Sequence, residues 1–380
     1  MKDETFPHPI WPWQRQPGFP WPGLRFYRAA EPFVLDSGEV LPDLCLAWEE
    51  WGDRSNPTLV VFHALTGDSH VTRHGPDDRA GWWEGVVGPG LFIDTTRWHV
   101  VAANALGGAM GSTGPSSPGP DGRPYGSRFP EVTLFDLART VRQLLTAEGL
   151  CSPVALLGGS MGGMAALAYA SQFAEDVSGV LAIASPIAHS PWAIAYHAVG
   201  RAAIRQDAAY AGGDYYGEPV GPEQGLMIAR MADMISYQHP EAMERKFGRR
   251  YQTPQRDEFE VESYLAYQGR KLVRRFDANS YLVLTSAMDR FELDRAALAR
   301  LRALPVWMAA IASDMLYPPD EMARQADRLR KAGVAVKLCH LAGSWGHDTF
   351  LVDQAAAGRL AQEFLAAVEA RTASLTPESR

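Results

Sequence analysis

Val154-Ala155-Leu156-Leu157-Gly158-Gly159-Ser160-Met161-Gly162-Gly163-Met164 is the stretch that decides the fold. Its first four residues are apolar and read as a buried strand. The Ala-rich run from Met164 to Ala170 reads as a helix. A serine between strand and helix, flanked by glycines, has the form of a nucleophile elbow. The turn is so tight that its neighbours must be small. Gly158 and Gly162 keep side chains out of the way, and Gly163 extends the same tolerance. Ser160 then projects its hydroxyl at the carboxyl end of a strand, beside a helix N-terminus that favours negative charge. A serine at a helix start in a Gly-rich loop is the plain alternative, so partners elsewhere must decide.

A serine hydroxyl needs a base to take its proton, and the base needs a third group to orient it. Downstream, Val306 to Ile311 reads as a buried strand, with Ser313-Asp314 just past its end and Pro318-Pro319 following. Asp314 therefore lies on a loop at a strand's carboxyl end. An ordinary turn aspartate is its structural alternative. Val334 to Leu338 reads as another strand, and Gly346-His347-Asp348 follows one short loop later. Of ten histidines, His347 alone stands after a late strand and before a terminal helix. Serine, acid, histidine is the chain order of the α/β-hydrolase fold. In that fold the oxyanion is held by two backbone N–H groups. One follows the nucleophile, here Met161. The other comes from the loop after an early strand, here Leu65 in His63-Ala64-Leu65-Thr66-Gly67 after Leu59 to Phe62. His63 precedes the serine, the wrong order for the base, and reads as structural.

Composition sets the bounds. A chain of 380 residues with 46% hydrophobic content is that of a globular protein holding one α/β core plus an insertion. Cys45, Cys151 and Cys339 are far apart and form no metal-ligand spacing, which suggests a reduced, cytoplasmic setting. No signal-peptide pattern follows Met1, and no apolar run approaches the ~20 residues that span a bilayer. A net charge of −8 argues against nucleic acid as a partner. No phosphate loop, metal cluster or flavin motif is present, so no tightly bound cofactor is expected.

Residues 1–24 are rich in Pro and Trp and read as an extended arm on the body. Strand-like and helix-like runs alternate over 25–185 and again over 301–372, which predicts a mostly parallel sheet with helices on both faces. Residues 186–300 differ. Trp192 to Ile204 and Gly225 to Tyr237 are helical there and buried-strand runs are few, so the segment reads as an inserted helical lid. The polar tail from Arg371, and 373–380 above all, is expected to fray.

Several longer strings resemble the homoserine O-acetyltransferases of the α/β-hydrolase superfamily. They include His63 to Gly67, Gly81-Trp82-Trp83-Glu84, Gly88-Pro89-Gly90, Leu106-Gly107-Gly108 and Gly111 to Ser117. In the lid they include Gly212 to Tyr215, Gly225-Leu226, Ala229-Arg230-Met231, Phe259 to Leu265 and Arg275 to Tyr281. Ordinary esterases share the elbow but not the lid strings. The resemblance implies acyl transfer in two steps, from acetyl-CoA as co-substrate to Ser160 and then to the hydroxyl of L-homoserine, a step of methionine biosynthesis. It implies that Arg230 pairs with the substrate carboxylate, that Tyr237 assists from the same helix face, and that Asp348 holds the ammonium. A solvated helix arginine and a helix N-cap are the structural alternatives for Arg230 and Asp348. It also implies a homodimer through the lid helices.

The chain departs from the family at Ala109-Met110, where a Cys and a Lys or Gln are usual, and at His197, where Asn is usual. The segments expected around the acyl group, Ala64 to Thr66, Ala105 to Met110 and Gly158 to Met161, contain no Lys or Arg, which favours acetyl over succinyl. A lid arginine such as Arg201 could supply that charge. Lys246, Arg249 and Arg250 are candidates for the CoA phosphates. The competing readings are a homoserine or serine O-succinyltransferase, a lidded esterase or thioesterase, and a non-catalytic binding protein of the same fold.

Overall fold

The computed structural model describes residues 20–150, 153–255 and 257–375, so most of the predicted N-terminal arm lies outside the described residues. Its centre is an eight-stranded sheet. We number its strands β1 (Arg25–Arg28), β2 (Cys45–Trp51), β3 (Thr58–Phe62), β4 (His99–Ala103), β5 (Val154–Gly159), β6 (Val177–Ile183), β7 (Val306–Ile311) and β8 (Val336–Leu341). Their spatial order is β1-β2-β4-β3-β5-β6-β7-β8. Only β2 runs against its neighbours. The sheet is thus mostly parallel, as the alternation predicts.

Period-two burial explains why both faces are covered. Leu156, Val180 and Met308 join one apolar cluster with Leu137, Val141 and Leu144 of helix α1 (Leu134–Ala147). Ala155, Leu157, Leu181 and Trp307 face the other way, onto Ala357, Leu360, Ala361 and Phe364 of the last helix. Helix α1 starts at a capping box, Thr133 with Asp136. Helix α2 (Met161–Gln172) follows the elbow serine directly and is buried on nearly every side.

Between β6 and β7 the chain leaves the sheet. It forms α3 (Pro191–Gln206), α4 (Glu223–Tyr237), α5 (Pro240–Phe247), α6 (Glu260–Val273), α7 (Ala278–Asp289) and α8 (Arg295–Arg300). Helix α4 packs on α3 and α6 and touches the turn that carries His347, whereas α8 rests on α2. Two of the family-like strings interlock here. The buried Asp277, N-cap of α7, accepts from the hydroxyls of Tyr215 (2.5 Å) and Tyr216 (2.8 Å) and from Ser280 N–H (2.9 Å). After β7 come α9 (Pro319–Lys331), β8, α10 (Thr349–Val352) and α11 (Gln354–Leu375).

Two sequence expectations shift. The late strand runs over Val336–Leu341 rather than Val334 to Leu338. It is an edge strand with half-exposed positions, including Lys337 and His340, so an apolar run does not mark it. The tail does not fray at Arg371: α11 continues to Leu375, and 376–380 lie outside the described residues. The apolar stripe ends at Val368, but seven further helical residues follow, with Thr372 Oγ1 bonded back to Val368 O.

Strand β2 carries a fully buried carboxylate. Glu49 accepts from Trp21 Nε1 (2.6 Å), Ser69 Oγ (2.6 Å), His70 Nδ1 (2.8 Å) and His74 Nε2 (3.0 Å). His70 Nε2 also donates, to Arg79 O (2.9 Å). Both acceptors lack protons, so both ring nitrogens carry one and His70 is cationic. Burial opposes that charge, but the bonds and field of Glu49 prevail and raise the His70 pKa.

Candidate active site

The elbow is held by close backbone packing. Ser160 has φ 55° and ψ −126°, a conformation that non-glycine residues rarely adopt. Its N–H donates to Ile183 O (2.9 Å), which fixes it between β5 and β6. A Cβ on Gly162 would sit 2.1 Å from Phe62 O, at the end of β3. That contact brings the serine and the β3 loop together, and only glycine allows it. Ser160 is 5% exposed.

The β3 loop is a tight turn. Gly67 N–H donates to Ala64 O (2.8 Å), leaving Leu65 and Thr66 at its tip. His63 Nδ1 donates to the same oxygen (2.8 Å), and its Nε2 accepts from Ala105 N–H (3.0 Å). Both nitrogens are spent on backbone, and burial lowers the His63 pKa, so this histidine is a neutral structural brace. The N–H groups of Leu65 and Met161 donate to no hydrogen bond among the described residues. Ala109 and Met110 are buried and line a small cavity beside the turn, with His63, Gly67 and Phe276.

The acid and the histidine meet as the sequence order implies. His347 Nδ1 donates to Asp314 Oδ2 (2.7 Å). The other carboxylate oxygen accepts from Leu316 N–H (2.8 Å) and Tyr317 N–H (2.9 Å), so Asp314 is fixed as an acceptor. Burial works against a charged His347, but the field of Asp314, its hydrogen bond and the field of Asp348 outweigh it and raise the pKa. His347 Nε2 is buried without a hydrogen-bond partner, so no bond joins it to Ser160. The ring is nevertheless close by. His347 packs edge-on against Phe350 (5.9 Å between centroids), and Phe350 lies against Gly159, the residue before the serine. Such bonds commonly tighten only when substrate arrives.

The remaining predicted residues converge on the same histidine. Gly346 has φ 69°, and a Cβ there would lie 2.2 Å from Tyr237 O, so the loop of His347 abuts the end of α4. The Tyr237 ring stacks obliquely on His347 (5.4 Å), and the Arg230 guanidinium lies over the Tyr237 ring (5.4 Å). Arg230 and Asp348 each lack an ion-pair partner among the described residues, yet each feels the other's charge. Burial raises the Asp348 pKa, and Arg230 and His347 oppose the rise. Asp348 precedes α10 but makes no side-chain cap bond, so the N-cap alternative does not account for it.

Other residues are committed elsewhere. Arg201 is held by Asp289 (2.6 Å), which also accepts from His197 Nδ1 (2.7 Å) and His189 Nδ1 (3.0 Å). It is therefore not free to swing into the acyl pocket. Arg250 pairs with Glu260 (2.9 Å), and Lys246 lies over the Tyr264 ring (4.0 Å). The acyl segments themselves contain no Lys or Arg, as read from the sequence, but a lid arginine other than Arg201 reaches one of them. Arg275, from the link between α6 and α7, donates to Thr66 O and to Thr66 Oγ1 (3.4 Å). His189 was also missed; its Nε2 bonds the hydroxyl of Tyr317 (2.8 Å), whose ring packs on His347. Neither residue carries a signature that spacing alone would reveal.

Comparison with known proteins agrees with this fold. A family model described as the alpha/beta hydrolase fold matches residues 57–354. A homoserine O-acetyltransferase of Symbiobacterium thermophilum is 44% identical over 352 residues, covering 87% of this chain and 91% of that protein. One from Thermobifida fusca is 45% identical over 362 residues, covering 90% and 93%. Among solved structures, a homoserine O-acetyltransferase from Bacillus anthracis superposes with a TM-score of 0.83 at 22% identity, covering 90% of this chain and 97% of that one. Esterase E22 superposes equally well, at 0.82 and 24%, covering 90% and 99%. At that identity the two structures speak for the fold alone. No helix among the described residues is long and apolar enough to cross a membrane.

Proposed function

The chain belongs to the homoserine O-acetyltransferase family of the α/β-hydrolase fold, and on that footing we propose that it moves an acetyl group from acetyl-CoA to L-homoserine by way of Ser160. Ser160 Oγ attacks the thioester carbon while His347 Nε2 takes its proton and Asp314 holds the imidazole. The Leu65 and Met161 N–H groups receive the oxyanion. Collapse expels the CoA sulfur, which leaves with the proton from His347. The homoserine hydroxyl then attacks acetyl-Ser160, its proton goes to His347, and collapse returns that proton to Ser160.

One observation carries the acceptor: Asp348 follows His347 directly, and Arg230 lies over the Tyr237 ring that stacks on His347, two opposite charges without ion-pair partners among the described residues. A zwitterionic amino acid needs one cation and one anion there, and a water-using esterase needs neither. Acetyl as donor fits uncharged Ala109 and Met110. No tightly bound cofactor has a role in this chemistry. A reduced, cytoplasmic setting fits Cys45 and Cys339, neither of which forms a disulfide. Exposed Val199 on α3, Ile228 and Ile235 on α4 and Tyr267 on α6 support a homodimer through the lid.

The deciding experiment separates the half-reactions. Brief incubation with acetyl-CoA should leave an acetyl mass on Ser160, and homoserine should discharge it. Arg230→Ala and Asp348→Asn should keep the loading but lose about tenfold or more in transfer to homoserine, each 1.4 kcal/mol being tenfold. Faster turnover with succinyl-CoA, or discharge by water as fast as by homoserine, would replace this reading.

A further inference from the structure

Arg275 is a cation with no carboxylate of its own. No ion pair involves it among the described residues, and the acid in its neighbourhood, Asp68, is bound to Arg79 (2.9 Å). Burial lowers its pKa to about 10, and the positive charges of Arg230 and Arg79 add to the effect, with Asp68 opposing. An uncompensated guanidinium held from water is unfavourable unless negative charge forms nearby at some stage. Its contacts say where. It donates to both the carbonyl and the hydroxyl of Thr66. Thr66 and Leu65 are the two tip residues of the turn closed by Gly67 N–H and Ala64 O. His63 ties the other end of that turn to Ala105. The loop with the free Leu65 N–H is thus gripped from the sheet side by His63 and from the lid side by Arg275.

We propose that Arg275 is a positioning residue for the oxyanion site, clamping the tip of the turn that carries the Leu65 N–H and adding positive charge behind it. The lid therefore takes part in both half-reactions, because each passes through a tetrahedral oxyanion on Ser160. Loss of one direct oxyanion donor typically costs 10²–10³ in rate. A brace acting through its neighbour should cost less, roughly 10–10².

The inference rests on the roles given above to Ser160 and Leu65, and the test keeps the two apart. p-Nitrophenyl acetate acylates an activated serine without CoA or homoserine. If the wild-type protein shows no p-nitrophenol burst, the reading of Ser160 fails first. If it does, Arg275→Met should slow that burst and the discharge of acetyl-Ser160 by homoserine by a common factor. The homoserine KM should stay within about twofold. Arg275→Lys, which keeps the charge but not the fork, should recover part of the loss. Melting curves monitor folding. Should the Met variant not fold, the Lys variant decides: a several-fold loss in both steps supports the clamp, and full rates overturn it. Loss confined to the homoserine step would make Arg275 a substrate contact instead. Loss seen with acetyl-CoA but not with p-nitrophenyl acetate would make it a CoA contact. Either result overturns the proposal.

Discussion

His347 shows how single residues set the working pH. Burial favours its neutral form, but Asp314 and then Asp348 shift the balance, so its pKa lies above the ordinary histidine value of about 6.5. A general base must be neutral in the free enzyme, so kcat/KM should climb with pH through a limb above 6.5. Asp348→Asn removes one of the charges that raise the pKa, and the limb should move down. Acylation by acetyl-CoA, followed across pH in both proteins, reads this without the acceptor. A limb that stays put would mean that Asp348 lies too far from the imidazole to act on it. The proposed triad was legible at this scale because Ser160 and Asp314 follow strands that the apolar pattern marks, and His347 completes the chain order of the fold. Arg275 was not, since its partner Thr66 lies 209 positions away and an arginine in a lid loop has no local signature.

At the scale of elements, the Glu49 clasp joins the start of the described chain to β2 and to the loop after β3. Its pH dependence has two signs. The folded pKa of His70 is raised, so its contribution is full below the unfolded value and fades as pH rises through the folded one. The Glu49 pKa is lowered, since the His70, His74 and Ser69 bonds overcome burial. Its contribution is full above the unfolded carboxylate value and fades as pH falls through the folded one. Removing one partner of a buried pair typically costs ~3–5 kcal/mol. Glu49→Gln should cost that much on the acid side of the folded His70 pKa and clearly less on its alkaline side, where the wild-type ion pair is itself lost. Denaturant unfolding on both sides measures it, and an equal cost would show His70 to be neutral throughout. The buried strands were readable from apolar runs because parallel strands are covered on both faces. The clasp was not, because Glu49, His70 and Trp21 come from three separate segments.

Across the whole molecule, the site is assembled from parts that the sequence holds far apart: the β3 turn, the elbow, the loops after β7 and β8, and the end of α4. Motif and chain order marked the first four and the family resemblance the last; only the fold shows that α4 meets the His347 loop at Gly346. The exposed apolar row on the lid belongs to this scale as well. Ile228 and Ile235 are 47% and 48% exposed on α4. If a second copy covers them, Ile228→Asp should turn a dimer into a monomer in sedimentation velocity while Ser160 still accepts acetyl. A wild-type monomer, or a variant that stays dimeric, would place the interface elsewhere.

The backbone at Ser160 has a further consequence. A serine held at φ 55° and ψ −126° stores on the order of 1–3 kcal/mol that a glycine there would not. The fold is therefore strained at the residue proposed as its nucleophile, and stability and turnover pull against each other at position 160. Selection for heat resistance alone, in nature or at the bench, would favour giving up the nucleophile.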